Sequence, residues 1–333
     1  MKSFGIMLGA ALGLALAAPA AAWNGRGHMI VAAKAWQALS PSSRTAVGRL
    51  LRLNPMYKQW TAGVSAADRD RAAFVRSATW PDDIKSAPGY VNDHDDAGPN
   101  GARNIGYADC DQHRYWHFKD GPFSTDGTPL EQPREPNAET QIRAFTAALG
   151  SPSISDDVKS YDLVWLIHLL GDVHQPLHAA SRFSADAPHG DRGGNSVKVC
   201  DPQCGHNLHA AWDDSLGNGG DAQAAVAAAA ALPSTPPGSD DPSVWLSESL
   251  DLAKTVAYGP PVGQGTGPFT LSPAYQAQVR QTAQMRASLA GARLAALIDA
   301  AHPTVRGTGA ARCGGGGRKQ AIHHRRRSHR RHR

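Results

Sequence analysis

His168-Leu169-Leu170-Gly171-Asp172-Val173-His174-Gln175-Pro176-Leu177-His178 is the stretch on which the fold turns. His168 and Asp172 are four positions apart, so on a helix they share one face. His178 follows beyond Pro176, a residue that kinks a helix or ends it. Upstream, Tyr161-Asp162-Leu163-Val164-Trp165-Leu166-Ile167 is apolar enough to bury this helix. A buried imidazole and carboxylate need a partner. Converging from neighbouring turns, they are how a helical protein builds a zinc site. One such pair fits a core helix with satisfied polar groups equally well. A second pair at the same spacing, His209 and Asp213 in Asn207-Leu208-His209-Ala210-Ala211-Trp212-Asp213, shifts the balance towards metal. His174 falls off the metal-facing side and is expected to be supporting or structural.

The chain has 333 residues, enough for one large domain or two small ones. Met1-Lys2, an apolar run from Phe4 to Ala17 and Ala20-Ala21-Ala22 have the form of a cleaved secretory leader. The run is short for a membrane span, and no later stretch is long and apolar enough. An uncleaved anchor is the competing account. With cleavage, the mature protein starts at Trp23 and is secreted or periplasmic. Of four cysteines, Cys200 and Cys204 are expected to close a small loop, with Cys110 and Cys313 as the leftover pair. A net charge of +5 misleads. Eight of the 34 Lys/Arg lie in residues 318–333 and one is Lys2, so 25 remain against 29 acidic residues, a balance of −4. Bulk positive charge is thus excluded as the means of holding nucleic acid, although metals can supply it locally.

Helical segments are expected over Met29–Leu39, from the Ser40-Pro41 start to about Leu53, Ala66–Thr79, Glu139–Leu149, from about Ser155 through the central motif, Ala222–Leu232, Val244–Tyr258, and from Ser272-Pro273 to about Ala301. Ala290, Leu294, Leu297, Ile298 and Ala301 form the packing stripe of the last. Residues 86–111 and 121–137 read as loop, with Asp93, Asp95 and Asp96 solvated and His94 lacking a partner at ligand spacing. Ser181–Arg192 is a polar loop, and His189 and His206 are expected to be solvated. No strand-rich block or repeat is evident. Gly314–Gly317 is a flexible spacer, and the basic segment after it is expected to be disordered. That tail either attracts nucleic acid or an anionic surface, or is a solvated appendage.

Further motifs are Trp23-Asn24-Gly25-Arg26-Gly27-His28, Trp80-Pro81-Asp82-Asp83-Ile84-Lys85, Tyr115-Trp116-His117-Phe118-Lys119-Asp120, Gly193-Gly194-Asn195 and Trp245-Leu246-Ser247-Glu248-Ser249. With the two His/Asp pairs, in this order, they resemble the S1/P1 family of secreted zinc-dependent nucleases from Trp23 to about residue 300. The resemblance implies an all-α fold: a leader at 1–22, a single mostly helical nuclease domain at 23–301 and a tail at 302–333. It implies three Zn2+ ions. Asp82, His117, His168 and Asp172 would hold one. Trp23, through its amine and carbonyl once exposed by cleavage, and His28 would hold a second, bridged to the first by Asp172. His178, His209 and Asp213 would hold the third. Asp82 and Asp172 are the catalytic carboxylates so implied. Lys85 would contact phosphate, Phe118 would stack on a base, Asp120 would bond the base edge, and Asn195 would contact substrate or simply make a turn. Core packing is the competing account of Phe118.

The activity implied is hydrolysis of single-stranded DNA and RNA to 5′-phosphorylated products, with 3′-nucleotides also substrates, by a monomer with no membrane span. Zinc-dependent phospholipase C resembles this family and is the nearest rival. Asp213, where that family typically has Glu, and the short spacing from Trp23 to His28 point away from it. A non-catalytic zinc- or nucleic-acid-binding protein using the basic tail is the rival from another class.

Overall fold

Serines and prolines set where the helices begin. Ser40 and Ser272 each accept a hydrogen bond from the backbone three residues on, with proline in the next position. The computed structural model describes residues 23–95, 109–201 and 203–303; the expected leader, Asp96, Cys313 and the basic tail lie outside them. The helices are α1 (Gly25–Ala38), α2 (Pro41–Leu53), α3 (Tyr57–Trp60), α4 (Arg69–Ser77), α5 (Trp80–Asp83), α6 (Ala138–Gly150), α7 (Asp156–Asp172), α8 (Leu208–Asp213), α9 (Ala222–Ala231), α10 (Pro242–Leu252) and α11 (Pro273–Ala301). The fold is mostly helical, as expected.

α7 is the axis. From Val158 to Asp172 every residue is buried, because the helix is apolar nearly all round and has neighbours on every side. α2, α4, α6 and α11 pack on it, and Trp165, Leu166, Leu169 and Leu170 join Trp116, Phe145 and Leu294 in the largest apolar cluster. α1 packs between α9 and α11 around Trp23, Ile30, Val31 and Ala287. Gly291 of α11 permits that approach: a Cβ there would lie 2.6 Å from Cβ of Lys34.

Short strands, absent from the sequence expectation, complete the molecule. β1 (Gly121–Ser124) pairs in parallel with β2 (Ala180–Phe183), while β3 (Lys198–Asp201) pairs antiparallel with β4 (Gln203–Asn207) and parallel with β5 (Phe269–Thr270). With two to five residues each, they show too little alternation to read from sequence. His206 accordingly sits in an exposed strand rather than a loop. Cys200 and Cys204 are bonded across the β3–β4 hairpin, as expected, and Cys110 is also oxidised. The helix expected over 244–258 changes at Leu252 into a wider turn over Ala253–Ala257. Among the described residues no helix is long and apolar enough to cross a membrane.

Candidate metal centre

α7 delivers His168 and Asp172 from its buried C-terminal turns, and the chain leaves helical geometry there because Pro176 cannot continue it. A short 3-10 turn, Pro176–Ala179, then swings His178 back towards the same space. α8, capped by Asn207 on the amide of Ala210, carries His209 and Asp213 one turn apart. His28 lies on the first turn of α1 and Asp82 within α5, and His117 follows the 3-10 turn Arg114–Trp116. Eight side chains from six separate segments therefore meet.

They form two linked groups. In the first, His117 Nδ1 is 3.0 Å from Asp172 Oδ2, and His168 Nε2 is 3.3 Å from that oxygen and 3.0 Å from His117 Nδ1. His28 Nε2 is 3.4 Å from the other Asp172 oxygen and 4.0 Å from Asp82 Oδ2. Asp172 thus faces His28 with one oxygen and His117 and His168 with the other. In the second group, His178 Nε2 and His209 Nε2 are 3.0 Å apart, and Asp213 Oδ2 is 3.7 Å from His209. Candidate ligand atoms of His178, His209 and Asp213, of His28, His168 and Asp172, and of Asp82, His117 and His168 each lie within 4.8 Å of one another.

The donor chemistry fits metal. Nδ1–H of His168 donates to the Ala78 carbonyl at 2.7 Å, that of His178 to His117 at 2.8 Å, and that of His209 to Gly193 at 2.7 Å. Each bond fixes the tautomer and turns an Nε2 lone pair inward. Burial drives these imidazoles to the neutral form: His168 to about 3, His209 to about 4, and His117 and His178 well down. Two neutral Nε2 lone pairs 3.0 Å apart repel unless a cation sits between them. Burial likewise pushes the carboxyls of Asp172 and Asp213 well up, and the Asp82 charge adds to both. A cation would reverse that cost. Oδ1 of Asp172 and Oδ2 of Asp82 are buried and accept no hydrogen bond from a described residue.

Supporting contacts hold this frame. Gln175, fully buried, donates to Asp213 Oδ1 at 2.8 Å and accepts from the Leu177 amide at 2.6 Å. Gly193 has φ 63°, a conformation open to glycine. A Cβ there would collide with the Leu177 carbonyl, so the Gly193 oxygen reaches His209 only with glycine in place. Asp191 anchors that turn through the Gly194 amide and Tyr258. At Gly171 a Cβ would meet His28 Nδ1 at 2.7 Å, so glycine lets α1 lay its imidazole on α7. Sequence reasoning missed Gln175 and Asp191. The signal for Gln175 was a polar residue embedded in an otherwise buried run. His174 is turned away from the candidate ligands: Nδ1 donates to the Leu170 carbonyl at 2.8 Å and Nε2 meets Arg293 at 3.0 Å.

Beside these candidate ligands a cleft of about 690 Å³ opens, with His117, His178 and His209 in its lining. Lys85, Phe118, Asp120 and Asn195 all line it. Lys85 is also bound to Asp82 Oδ1 at 2.6 Å. Phe118 is half-buried and belongs to none of the apolar clusters, which disfavours core packing as its role. Arg114, Lys119, Arg134 and Arg192 join Lys85 on the walls, interleaved with Asp95, Asp120 and Glu131. Trp23 has a fully buried indole, and the next residue, Asn24, donates its amide to the Asp213 carbonyl at 3.2 Å. Asp95 is exposed, as expected, and meets Arg114 and Arg192 at 3.3 and 3.0 Å. One loop expectation needs correction. Asp93 is turned inward to His113, a histidine with no regular spacing to signal it.

A family model described as S1/P1 Nuclease matches residues 23–302. Endonuclease 3 of Arabidopsis thaliana is 26% identical over 198 residues, 58% of this chain and 54% of that protein. The match thus spans about half the length of that relative.

Proposed function

Because the chain belongs to the S1/P1 nuclease family, we propose that it is a zinc-dependent phosphodiesterase that hydrolyses single-stranded DNA and RNA, and 3′-nucleotides, at the cleft over His117, His178 and His209. The observation that carries this is the pair of inward imidazole lone pairs 3.0 Å apart, each fixed by a backbone carbonyl behind it. Asp82, His117, His168 and Asp172 would hold one zinc ion; His28 with the exposed amine and carbonyl of Trp23, sharing Asp172, a second; and His178, His209 and Asp213 a third. When bound, the ions supply Lewis acidity and lower the pKa of water towards about 7.

The chain's own groups do the rest. Asp82 and Asp172 face the space where water would enter and orient it. Lys85, 2.6 Å from Asp82, can turn its ammonium to a phosphate oxygen. Phe118 offers a ring for a base, and Asp120 beside it an acceptor for the base edge. A base in a duplex is already stacked, and extruding it costs a few kcal/mol, which favours single strands. A water oxygen bonds to phosphorus in line with the leaving 3′-oxygen as the P–O3′ bond breaks. The phosphate stays on the 5′ side, and the 3′-oxygen leaves with the proton that the water gives up. We also propose that the protein acts outside the cytoplasm as a monomer, freed of residues 1–22.

Zinc content, chelator sensitivity and the products from single-stranded DNA test this together. At least three zinc ions, loss of hydrolysis with chelator and 5′-phosphate ends are expected. Asp172→Asn should abolish turnover while circular dichroism stays unchanged, and normal turnover would refute the assignment. Release of headgroup from phosphatidylcholine, with single-stranded DNA left intact, would select the phospholipase alternative instead.

A further inference from the structure

A second cluster of metal-ligating side chains lies outside the cleft, where the segment after Val91 meets the segment that leads into His117. Val91 and Asp111 form a bridge, with the Val91 amide 2.9 Å from the Cys110 carbonyl and the Gln112 amide 2.9 Å from the Val91 carbonyl. This crossing sets Asp93 beside Asp111 and His113. One candidate ligand atom from each of the three lies within 4.8 Å of the other two.

Three observations separate this cluster from a chance meeting of acids. His113 is fully buried and holds a left-handed backbone, φ 47°, which non-glycine residues seldom adopt. Its ring stacks flat on Trp116, with centroids 3.5 Å apart, so it cannot turn away. Its Nε2 is 2.7 Å from Asp109 Oδ1, an oxygen that also accepts from the Tyr161 hydroxyl at 3.1 Å. With Nε2–H donated there, Nδ1 is left facing Asp93 Oδ2 at 3.1 Å and the Tyr115 hydroxyl at 3.5 Å. A carboxylate behind an imidazole whose other nitrogen faces further carboxylates is the usual support of a metal-binding histidine. Finally, both oxygens of Asp93 are buried, with the His113 ring and Tyr115 beside them.

Charge points the same way. Three carboxyl groups, Asp93, Asp109 and Asp111, surround one imidazole. Burial, and then the nearby Asp109, hold the Asp111 carboxyl above its ordinary range. We propose that Asp93, Asp111 and His113 bind one further divalent cation, with zinc the ion best suited to one imidazole and two carboxylates. None of the three lines the cleft. The site fixes the turn that carries Trp116 and then His117, since His113 and His117 both rest against Trp165, at 5.9 and 5.5 Å between ring centroids.

The test is zinc per chain by mass spectrometry, on purified protein equilibrated with zinc and then desalted. Asp93→Asn and Asp111→Asn should each carry one ion fewer than the unaltered protein, and the neighbouring Asp95→Asn the same number. The comparison is a difference, so it holds whatever number of ions the cleft binds, and it fails separately from the nuclease assignment. Equal zinc in the folded Asp93 and Asp111 variants would overturn the proposal and leave His113 as an imidazolium held between carboxylates. Anomalous scattering at the zinc edge from crystals of the unaltered protein needs no variant. A peak at bonding distance from His113 Nδ1 supports the site, and no peak there refutes it.

Discussion

Replacing Gln175 by leucine should loosen one metal ion and leave the others in place. The Gln175 side chain makes two hydrogen bonds, one to a candidate ligand carboxylate, Asp213, and one from the Leu177 amide. A hydrogen bond to a charged group contributes about 1.5–3 kcal/mol. That corresponds to roughly a 10- to 100-fold loss of affinity, the usual cost of losing a group that orients a metal ligand. Stranding the Leu177 amide costs about a further 1–3 kcal/mol of fold stability. This second cost is common to loaded and unloaded protein, so it cancels from the metal affinity. Gln175→Glu separates the two effects. It keeps an acceptor for Leu177 but sets a carboxylate against Asp213, so metal should still be lost while the amide stays bonded. The assay is release of zinc to chelators of graded strength, followed by hydrolysis of single-stranded DNA as zinc is restored. One ion should leave both variants at about 10- to 100-fold weaker chelation, and activity should return at correspondingly higher free zinc. If every ion in both variants leaves with the affinity of the unaltered protein, Asp213 is not a ligand held by Gln175.

One residue added before Trp23 should cost one zinc ion, because the α-amine would then be an amide; mass spectrometry showing as many ions as in the unaltered protein would refute a role for the amine. Phe118→Ala should lower kcat/KM on single-stranded oligonucleotides by roughly 5- to 150-fold, the equivalent of about 1–3 kcal/mol of base stacking, and an unchanged value would remove Phe118 from the substrate site. Glu248 is held down to about 2, from an ordinary 4.5, by Arg293 first and also by Arg286. A depressed carboxylate stabilises the fold fully above its unfolded value and loses that contribution as pH falls. With about a third of the side chain exposed, solvent screening reduces the contribution to about 1–2 kcal/mol. Glu248→Gln should therefore unfold more easily at pH 7, with the gap closing between pH 4.5 and 2 in denaturant titrations; a gap that does not change with pH would refute this.

The helices were legible because their ends carry local chemistry. Ser40-Pro41 and Ser272-Pro273 fix their starts within the chain itself, and the apolar run before His168 could only be a buried helix. The candidate ligands were legible as pairs, His168 with Asp172 and His209 with Asp213, since one helical turn sets their spacing. What stayed hidden depends on contacts between distant segments. β1 and β2 pair across more than fifty residues of chain, and the Asp93–His113 contact forms only where Val91 crosses Asp111. Gln175 gave no periodic signal, because its role comes from where α8 happens to dock.

The way Asn24 is fastened has a consequence for how the protein comes into being. Its side chain donates to Asp214, 190 positions away, and its amide to the neighbouring Asp213 carbonyl. The opening residues therefore reach their final place only after nearly two hundred more have been polymerised. A nascent chain that has reached Asn207 still lacks His209 and Asp213, so the donor set they share with His178 is open. A nascent chain of this nuclease family is thus threaded out beside messenger and ribosome with that cluster incomplete until α8 has emerged.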